Sequence, residues 1–515
     1  MPMYLLRLPT MSAVVTFLFV TLPWLNPFSP GPTPAVLPLL FSWVCAALVG
    51  LALIVARLRG SSLSLVRALA LAWLVAASLS ALIGLLQYFG ATAWAGFWLN
   101  HTGIGEAYGN LRQRNQFATL MNIGLVALLW MAATLPATPK SEAVHLPMLL
   151  LTLIAALIGA GNAASSSRTG LMQLVPIAAL TWVWQHQTKL GYDRRSPLRP
   201  VNQIILTSLL AYAIATVVLP ILAGIDPSAS GAWARLRSGD ALCTSRLTLW
   251  RNVLYLIAQK PWLGWGWGEL DYAHFITLYP GARFCDILDN AHNLPLHLAV
   301  EFGVPVAVLA CGLVGYLVWH ARPWREVDAS RQMAWGVLSV IGLHSLLEYP
   351  LWYGPFQMAT LASIWLLCRR NSTFSSSFRP VALYLQALSA IILIALCIFL
   401  AWNYQLASQI YLPPESRMRA YQDDTQNKIK DVRFFQDQIR FADLTTTDLS
   451  TENAKAVNTL ALEMLHFSPE ARVVELVLQS ARLTNRTDQV IFYAPRYQIA
   501  FPEAYTLWEK TAQNQ

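Results

Sequence analysis

Residues Val381–Trp402, reading VALYLQALSAIILIALCIFLAW, run for twenty-two positions without a charged side chain. Crossing about 30 Å of hydrocarbon takes roughly 20 apolar residues in a helix, so this stretch predicts a membrane span. Working outward, similar apolar runs lie near 11–27, 36–56, 66–89, 116–134, 147–163, 169–186, 203–225, 296–319, 332–348 and 354–368. The predicted fold is all-α: a polytopic integral membrane protein with about eleven transmembrane helices and a soluble α-helical C-terminal domain. The balance of the 515 residues agrees, with 56% hydrophobic against 12% charged.

The formal charge of +9 is read as loaded cytoplasmic loops, with no nucleic-acid partner implied. With the N-terminus inside, those loops carry Arg57 and Arg59, Lys140, then Lys189, Arg194, Arg195 and Arg199, then Arg322, Arg325 and Arg331, and finally Arg369, Arg370 and Arg379. The opposite short loops carry only Arg112, Arg114 and Arg168. The first run follows Arg7 with no small-residue cleavage site, which predicts a retained helix rather than a cleaved leader. The expected division is a transmembrane domain over 1–402, with a polar outer loop at 226–291, and a helical domain over 403–515. In the latter, apolar and charged residues alternate at helical spacing around Ala454–Leu465 and Glu470–Val477, with Ser468-Pro469 as a helix-start signal.

Four cysteines (Cys45, Cys311, Cys368 and Cys397) sit in apolar runs. Cys243 and Cys285 are the two in polar sequence, and both fall in the outer loop. In an oxidising compartment they would close a loop of about 40 residues, for about 3–4 kcal/mol of loop entropy.

Five polar clusters fall on the outer side under this topology: Gly109–Gln116, Ser165–Thr169, Thr244–Arg251, Asp289–Asn293 and His344–Tyr353. Together they suggest one outward-facing site. Arginines grouped with histidine suit a polyanion with a leaving group, because guanidinium bonds phosphate bidentately and imidazole moves protons near neutral pH. Arg168 and Arg246 lie in Ser/Thr-rich turns, whereas Arg112 and Arg251 fit snorkelling arginines at helix ends. His297 and His344 border apolar runs and read as hydrogen-bonded core groups; His292, among an acid and two carboxamides, reads as chemical. Trp262–Gly268 leaves two readings open, an interfacial aromatic belt or a loop of the site. Asp286, Asp289 and His292 are a weak alternative metal set.

Gly109 to Ala118 (Gly-Asn-x-x-Gln-x-Asn-Gln-x-Ala), Ser165 to Gly170, Arg246-x-x-x-Trp250, Pro261-x-x-Gly264-x-Gly266, and His292-Asn293 with Glu301-x-Gly303 resemble, in order, motifs of the O-antigen ligase/polymerase superfamily. Within it the chain most resembles the bacterial protein O-oligosaccharyltransferases, the neisserial-type pilin glycosylation ligases. The resemblance implies a bacterial inner-membrane glycosyltransferase with its site and tail facing the periplasm. Such an enzyme moves an oligosaccharide from undecaprenyl diphosphate to Ser or Thr hydroxyls of a secreted protein such as a pilin, with inversion and with neither metal nor other cofactor. Carried over by motif, His292 is catalytic, and Arg168 and Arg246 bind the donor diphosphate. Gln113, Arg114, Asn115, Asp289, Asn293, Glu301, Tyr349 and Tyr353 bind substrate or support the site, although Arg114 stands where the family often has proline. A lipopolysaccharide O-antigen ligase or polymerase is the nearer alternative, and a transporter of a lipid-linked or anionic solute the distant one.

Overall fold

The computed structural model describes residues 10–58, 62–134, 145–191, 198–226, 243–369 and 379–513. Arg59, Lys140, Arg194, Arg195 and Arg370, used above for orientation, lie outside them, as do Arg7 and residues 227–242 of the outer loop. Among the described residues every regular element is helical.

Eleven helices answer the eleven apolar runs: α1 (Met11–Leu25), α2 (Val36–Leu58), α3 (Ser62–Tyr88), α4 (Arg114–Ala133), α5 (His145–Ala164), α6 (Arg168–Gly191), α7 (Leu198–Leu222), α11 (Val304–Ala321), α12 (Ala329–Ser345), α13 (Gly354–Cys368) and α14 (Arg379–Ala407). Between α7 and α11 lie α8 (Arg246–Gln259), α9 (Leu270–Ile276) and α10 (Leu294–Phe302). Among the described residues, seven helices are long and apolar enough to cross a membrane: α2–α5, α7, α11 and α14. α1 and α13 are apolar but shorter. α6 and α12, with Gln173 and Gln185 in one and Gln332 and His344 in the other, reach neither group. The run predicted at 296–319 is two helices, because Gly303 at φ +88° ends α10 and α11 starts afresh at Val304.

The chain forms two compact units. The first holds α1–α7, α12, α13 and most of α14. α4 is its axis, with 89% of its most apolar window inside the protein and α3, α5, α6, α7 and α12 packed around it. Phe117, Leu120, Met121 and Ile123 of α4 meet Trp73, Ile158 and Val337 in one core. Trp24 of α1 meets Phe356 of α13 edge-on, 4.9 Å between ring centres.

The second unit joins α8–α10 and most of α11 to everything after residue 398. Its C-terminal helices α15 (Thr425–Ile429), α16 (Gln436–Thr446), α17 (Ala454–Met464), α18 (Ala471–Leu483), α19 (Thr487–Ala500) and α20 (Pro502–Gln513) stack largely in chain order. Val473, Val474, Val477 and Leu478 of α18 fill their core, and Phe275 of α9 enters it. Inside, the Asn458 amide donates to Gln489 (2.8 Å) and to Ser480 (3.1 Å). α18 starts three residues after Ser468, since the Ser468 amide still donates to the Met464 carbonyl and closes the helix before it.

One backbone crossing organises the other half of this unit. The amides of Trp265 and Gly266 donate to the carbonyls of Val300 and Glu301, and the Val304 amide donates to the Pro261 carbonyl. The two strands of chain lie so close that a β-carbon on Gly264 would strike the Glu301 carbonyl, and one on Gly303 the Trp262 carbonyl. Both residues also have positive φ (+71° and +88°), where a β-carbon is strained by about 1–3 kcal/mol. Gly303→Ala is therefore expected to lower the melting temperature of the detergent-purified protein by several degrees. Gly281→Ala, with open space around it, is the control; equal melting points for the two variants would remove the crossing as a constraint.

Candidate active site

In the first unit Asn115 draws three of the five polar clusters together. It stands in the first turn of α4, after Gln113 caps that helix by accepting the Gln116 amide at 3.0 Å. The Asn115 amide donates to Glu348 (2.9 Å), beyond the end of α12, while its carbonyl oxygen accepts from the Ser167 hydroxyl (2.7 Å) ahead of α6. Ser167 also accepts the Gly170 amide at 3.0 Å, capping α6 so that Arg168 is its first residue. Deeper in, Asn162 donates to Asn122 (3.0 Å) and Asn122 to Gln173 (2.8 Å) and the Gly170 carbonyl (2.9 Å). Gln173 donates to Thr119 (2.9 Å) and to the Val340 carbonyl (3.1 Å).

Thr119 spends its hydroxyl proton on the Asn115 carbonyl at 2.8 Å. Its 2.9 Å contact with Nδ1 of His344 is therefore donated by the imidazole, which fixes the proton on Nδ1. His344, wholly buried, thereby ties α12 to α4. Arg114 pairs with Glu106 (3.1 Å) and with the Tyr108 hydroxyl (3.2 Å), so it braces the loop ahead of α4. Tyr349 and Tyr353 stack, 5.9 Å between ring centres, on either side of the short 3₁₀ turn Pro350–Trp352.

The other two clusters meet in the second unit. Ser245 caps α8 by accepting the Thr248 amide (3.2 Å), making Arg246 its first residue. Both arginines expected from their motifs to meet phosphate thus open a helix behind a capping serine, at the end where the helix dipole favours an anion. One turn on from Arg246, the Trp250 indole donates to the Ala291 carbonyl at 3.1 Å. That bond pins the turn carrying His292, whose φ of +49° is left-handed and whose amide donates to the Asn290 side chain at 2.9 Å. Asn293 then caps α10 by accepting the Leu296 amide (3.1 Å).

Around this turn the loop is tied at several points. Cys243 and Cys285 form a disulfide, Cα atoms 5.3 Å apart. Asn252 of α8 accepts the Phe284 amide (2.7 Å) and donates to the Ala282 carbonyl (3.0 Å). Buried His274 accepts from the Tyr279 hydroxyl (2.8 Å) and donates to the Phe284 carbonyl (3.1 Å). Burial and the Arg283 charge lower its pKa to about 3, so it is a neutral brace. Among the described residues no group of three His, Cys, Asp or Glu is placed to hold a metal, and Asp286, Asp289 and His292 form no such set.

Glu301 supports rather than faces the turn. It is 3% exposed, and its carboxyl accepts the Gly268 amide at 3.0 Å. His297, one helical turn before it, stands 3.6 Å away. Burial raises Glu301 to about 7, and burial with the nearby His292 lowers His297 to about 4. At neutral pH His297 is therefore uncharged while Glu301 is near its midpoint, so the contact is not a standing salt bridge.

Trp250 and Asn290, which shape the His292 turn, were absent from the sequence-derived site. So were Asn122, Asn162, Thr119 and Gln173. The Arg-x-x-x-Trp spacing was the signal for Trp250, the His-Asn motif it adjoins the signal for Asn290, and polar residues inside apolar helices the signal for the others.

Three family models match successive parts of the chain: protein glycosylation ligase over residues 107–132, O-antigen ligase over 150–311, and the C-terminal part of virulence factor membrane-bound polymerase over 332–515. Among characterised proteins it is similar to the general O-oligosaccharyltransferase of Acinetobacter baylyi, 27% identical over 48% of this chain and 41% of the relative. The ComP-specific O-oligosaccharyltransferase of the same organism is 23% identical over 55% of this chain and 48% of its own length. The O-antigen ligase of Pseudomonas aeruginosa is 29% identical over 48% of each. The chain spans less than half the length of each of these relatives.

Opposing titrations in the Glu301–His297 pair predict a measurable pH signature. Glu301, raised from 4.5 to about 7, keeps a proton on folding, so its contribution to stability is full below about pH 4.5 and lost as pH rises to about 7. His297, lowered from 6.5 to about 4, contributes stability above about pH 6.5 that is lost as pH falls to about 4. In the intact protein the two slopes oppose each other between them. Glu301→Gln keeps the acceptor for Gly268 and removes one slope. Relative to the intact protein, its stability is expected to rise by up to about 3 kcal/mol from pH 4.5 to 7. Parallel pH–stability curves for the two proteins would show that folding does not raise the pKa of Glu301.

Proposed function

We propose that the chain, which belongs to the O-antigen ligase/polymerase superfamily on its O-oligosaccharyltransferase branch, transfers an oligosaccharide from undecaprenyl diphosphate to a Ser or Thr hydroxyl of a periplasmic or secreted protein such as a pilin. The observation that carries this reading is the pinned turn of the second unit. Arg246 opens α8 at an anion-favouring helix start, and Trp250 on the same helix holds the His292 turn. An anion-binding group and a proton-handling group are thereby fixed to one rigid element.

In the proposed reaction the acceptor oxygen attacks the anomeric carbon on the face opposite the diphosphate. The new glycosidic C–O bond forms as the C–O bond to phosphate breaks, which inverts the anomeric centre. Undecaprenyl diphosphate leaves with the electron pair. Arg246 offers a forked, permanently charged donor set to the negative charge that develops on it, the role the motif resemblance also gives to Arg168. His292 serves the acceptor hydroxyl, either taking its proton or holding it in line for attack while the proton passes to the departing diphosphate. Gln113, Asn115 and Glu348 keep the start of α6, and with it Arg168, in place. The chemistry asks for neither metal nor other cofactor. The topology that goes with it has eleven spans in the bacterial inner membrane, with the N-terminus in the cytoplasm and the loop and tail in the periplasm.

The similarity to an O-antigen ligase favours a second reading, the same transfer onto a lipopolysaccharide core sugar. Purified protein supplied with lipid-linked glycan and either a pilin-type protein or lipid A-core separates the two by which acceptor becomes glycosylated.

His292→Ala should abolish transfer, by at least a hundredfold, while insertion and donor binding persist; near-normal turnover would remove His292 from the chemistry. Arg168→Lys and Arg246→Lys keep the charge but lose the fork. Each is expected to cut transfer at least tenfold and to weaken retention of radiolabelled donor. Unchanged donor binding in both variants would move the diphosphate elsewhere.

A further inference from the structure

α8 has two apolar faces. One is the buried face already described, with Leu249, Val253 and Leu256 at 0–1% exposure in the loop's own core. The other is a stripe at helical spacing, Leu247, Arg251, Leu254, Tyr255 and Ala258, all exposed. Leu247 is 59% and Leu254 53% exposed. The stripe leads into the crossing loop, where Trp262, Leu263 and Trp267 are 76%, 85% and 69% exposed. Only Trp265 of that loop turns inward, donating to the Leu256 carbonyl at 3.0 Å, with the Lys260 ammonium 4.0 Å above its ring.

What covers this surface is indicated by its neighbour. The Val304 amide at the first residue of α11 donates to the Pro261 carbonyl, so the aromatic loop is bolted to the start of that helix. α11 is a candidate membrane span with only 6% of its apolar window buried by protein, and Val308, Leu309 and Leu313 are 55–74% exposed. A helix this bare needs hydrocarbon around it. The loop fixed at its end then falls where hydrocarbon gives way to headgroups, the zone that favours tryptophan, tyrosine and basic side chains. A short helix with an apolar stripe punctuated by arginine is suited to lie in the same plane.

We propose that α8 and the loop Lys260–Gly268 form an in-plane membrane anchor, with Leu254, Trp262, Leu263 and Trp267 immersed at the level of the acyl-chain boundary and Arg251 and Lys260 reaching anionic phospholipid headgroups. Unlike the aromatic belt of an ordinary span, this anchor carries the His292 turn, through Trp250 on its opposite face. It sets the depth at which that turn sits. The inference rests on the membrane reading of α11 and not on the glycan-transfer reaction.

The test uses the full chain with Cys45, Cys311, Cys368 and Cys397 replaced by alanine and the Cys243–Cys285 disulfide left intact. Nitroxide is placed singly by Leu254→Cys, Leu263→Cys or Trp267→Cys, with Leu507→Cys in the C-terminal helix as the aqueous control (Leu507 is 68% exposed). In nanodiscs of phosphatidylethanolamine with phosphatidylglycerol, the first three labels should collide with oxygen in preference to a water-soluble nickel chelate. The control should show the reverse. Arg251→Glu with Lys260→Glu should move the labels toward water in the anionic discs and much less in zwitterionic ones. Three independent label positions keep the test alive if one variant fails to insert. Nickel accessibility at 254, 263 and 267 equal to that at 507 overturns the proposal. So does protection that appears only when an acceptor protein is added, which would make the surface a protein-docking site.

Discussion

A polar side chain carried into an apolar helix bundle has little water to fall back on, so it is stable only where another side chain or a carbonyl meets it. That requirement governs the first unit. Asn122, Asn162 and Gln173 are each within 2% of full burial, and hydrogen bonds link them across α4, α5 and α6 while Thr119 and His344 extend the chain to α12. Each bond contributes only about 1 kcal/mol net, but an orphaned partner costs about 1–3 kcal/mol. The network thus selects one register for four helices, which uniform apolar packing would leave loosely specified. Its outer end is Asn115, and the start of α6 is held where that network leaves it.

The second unit meets a different constraint. Around a core that includes Leu249, Val253, Leu256 and Leu270, its loop is organised by backbone contacts that only glycine permits, by one disulfide, and by carboxamides and an imidazole that satisfy loop carbonyls. Glu301 illustrates the economy of this arrangement. Its buried carboxyl holds the Gly268 amide, so the acidic residue of the Glu-x-Gly motif supports the loop crossing. Trp250 does the corresponding work for the His292 turn, with its ring on one side of α8 and the exposed stripe on the other.

Long apolar runs made the helices of the first unit legible from residue order, and among the described residues seven of the expected spans are helices long and apolar enough to cross a membrane. The break at Gly303 was not legible, since an apolar run conceals a left-handed residue whose reason is the carbonyl of Trp262 in another segment. The pairing of Cys243 with Cys285 could be read, because apolar surroundings set the other four cysteines apart. Phe275 entering the core of α17–α20 could not: nothing in the polar loop marks one phenylalanine as belonging to the tail.

Sequence alone determined the helical class, the candidate spans, and the Ser/Thr-rich turns of Arg168 and Arg246 and the carboxamide neighbours of His292, since each depends on residue type and local spacing. Tertiary structure decided which clusters meet. It joined Gly109–Gln116 to Ser165–Thr169 and His344–Tyr353 through Asn115, and Thr244–Arg251 to Asp289–Asn293 through Trp250. It also turned Pro-x-x-Gly-x-Gly and Glu-x-Gly from two motifs into one crossing. The reason is physical: a hydrogen bond or a close backbone approach between segments tens to hundreds of residues apart leaves no periodic trace along the chain.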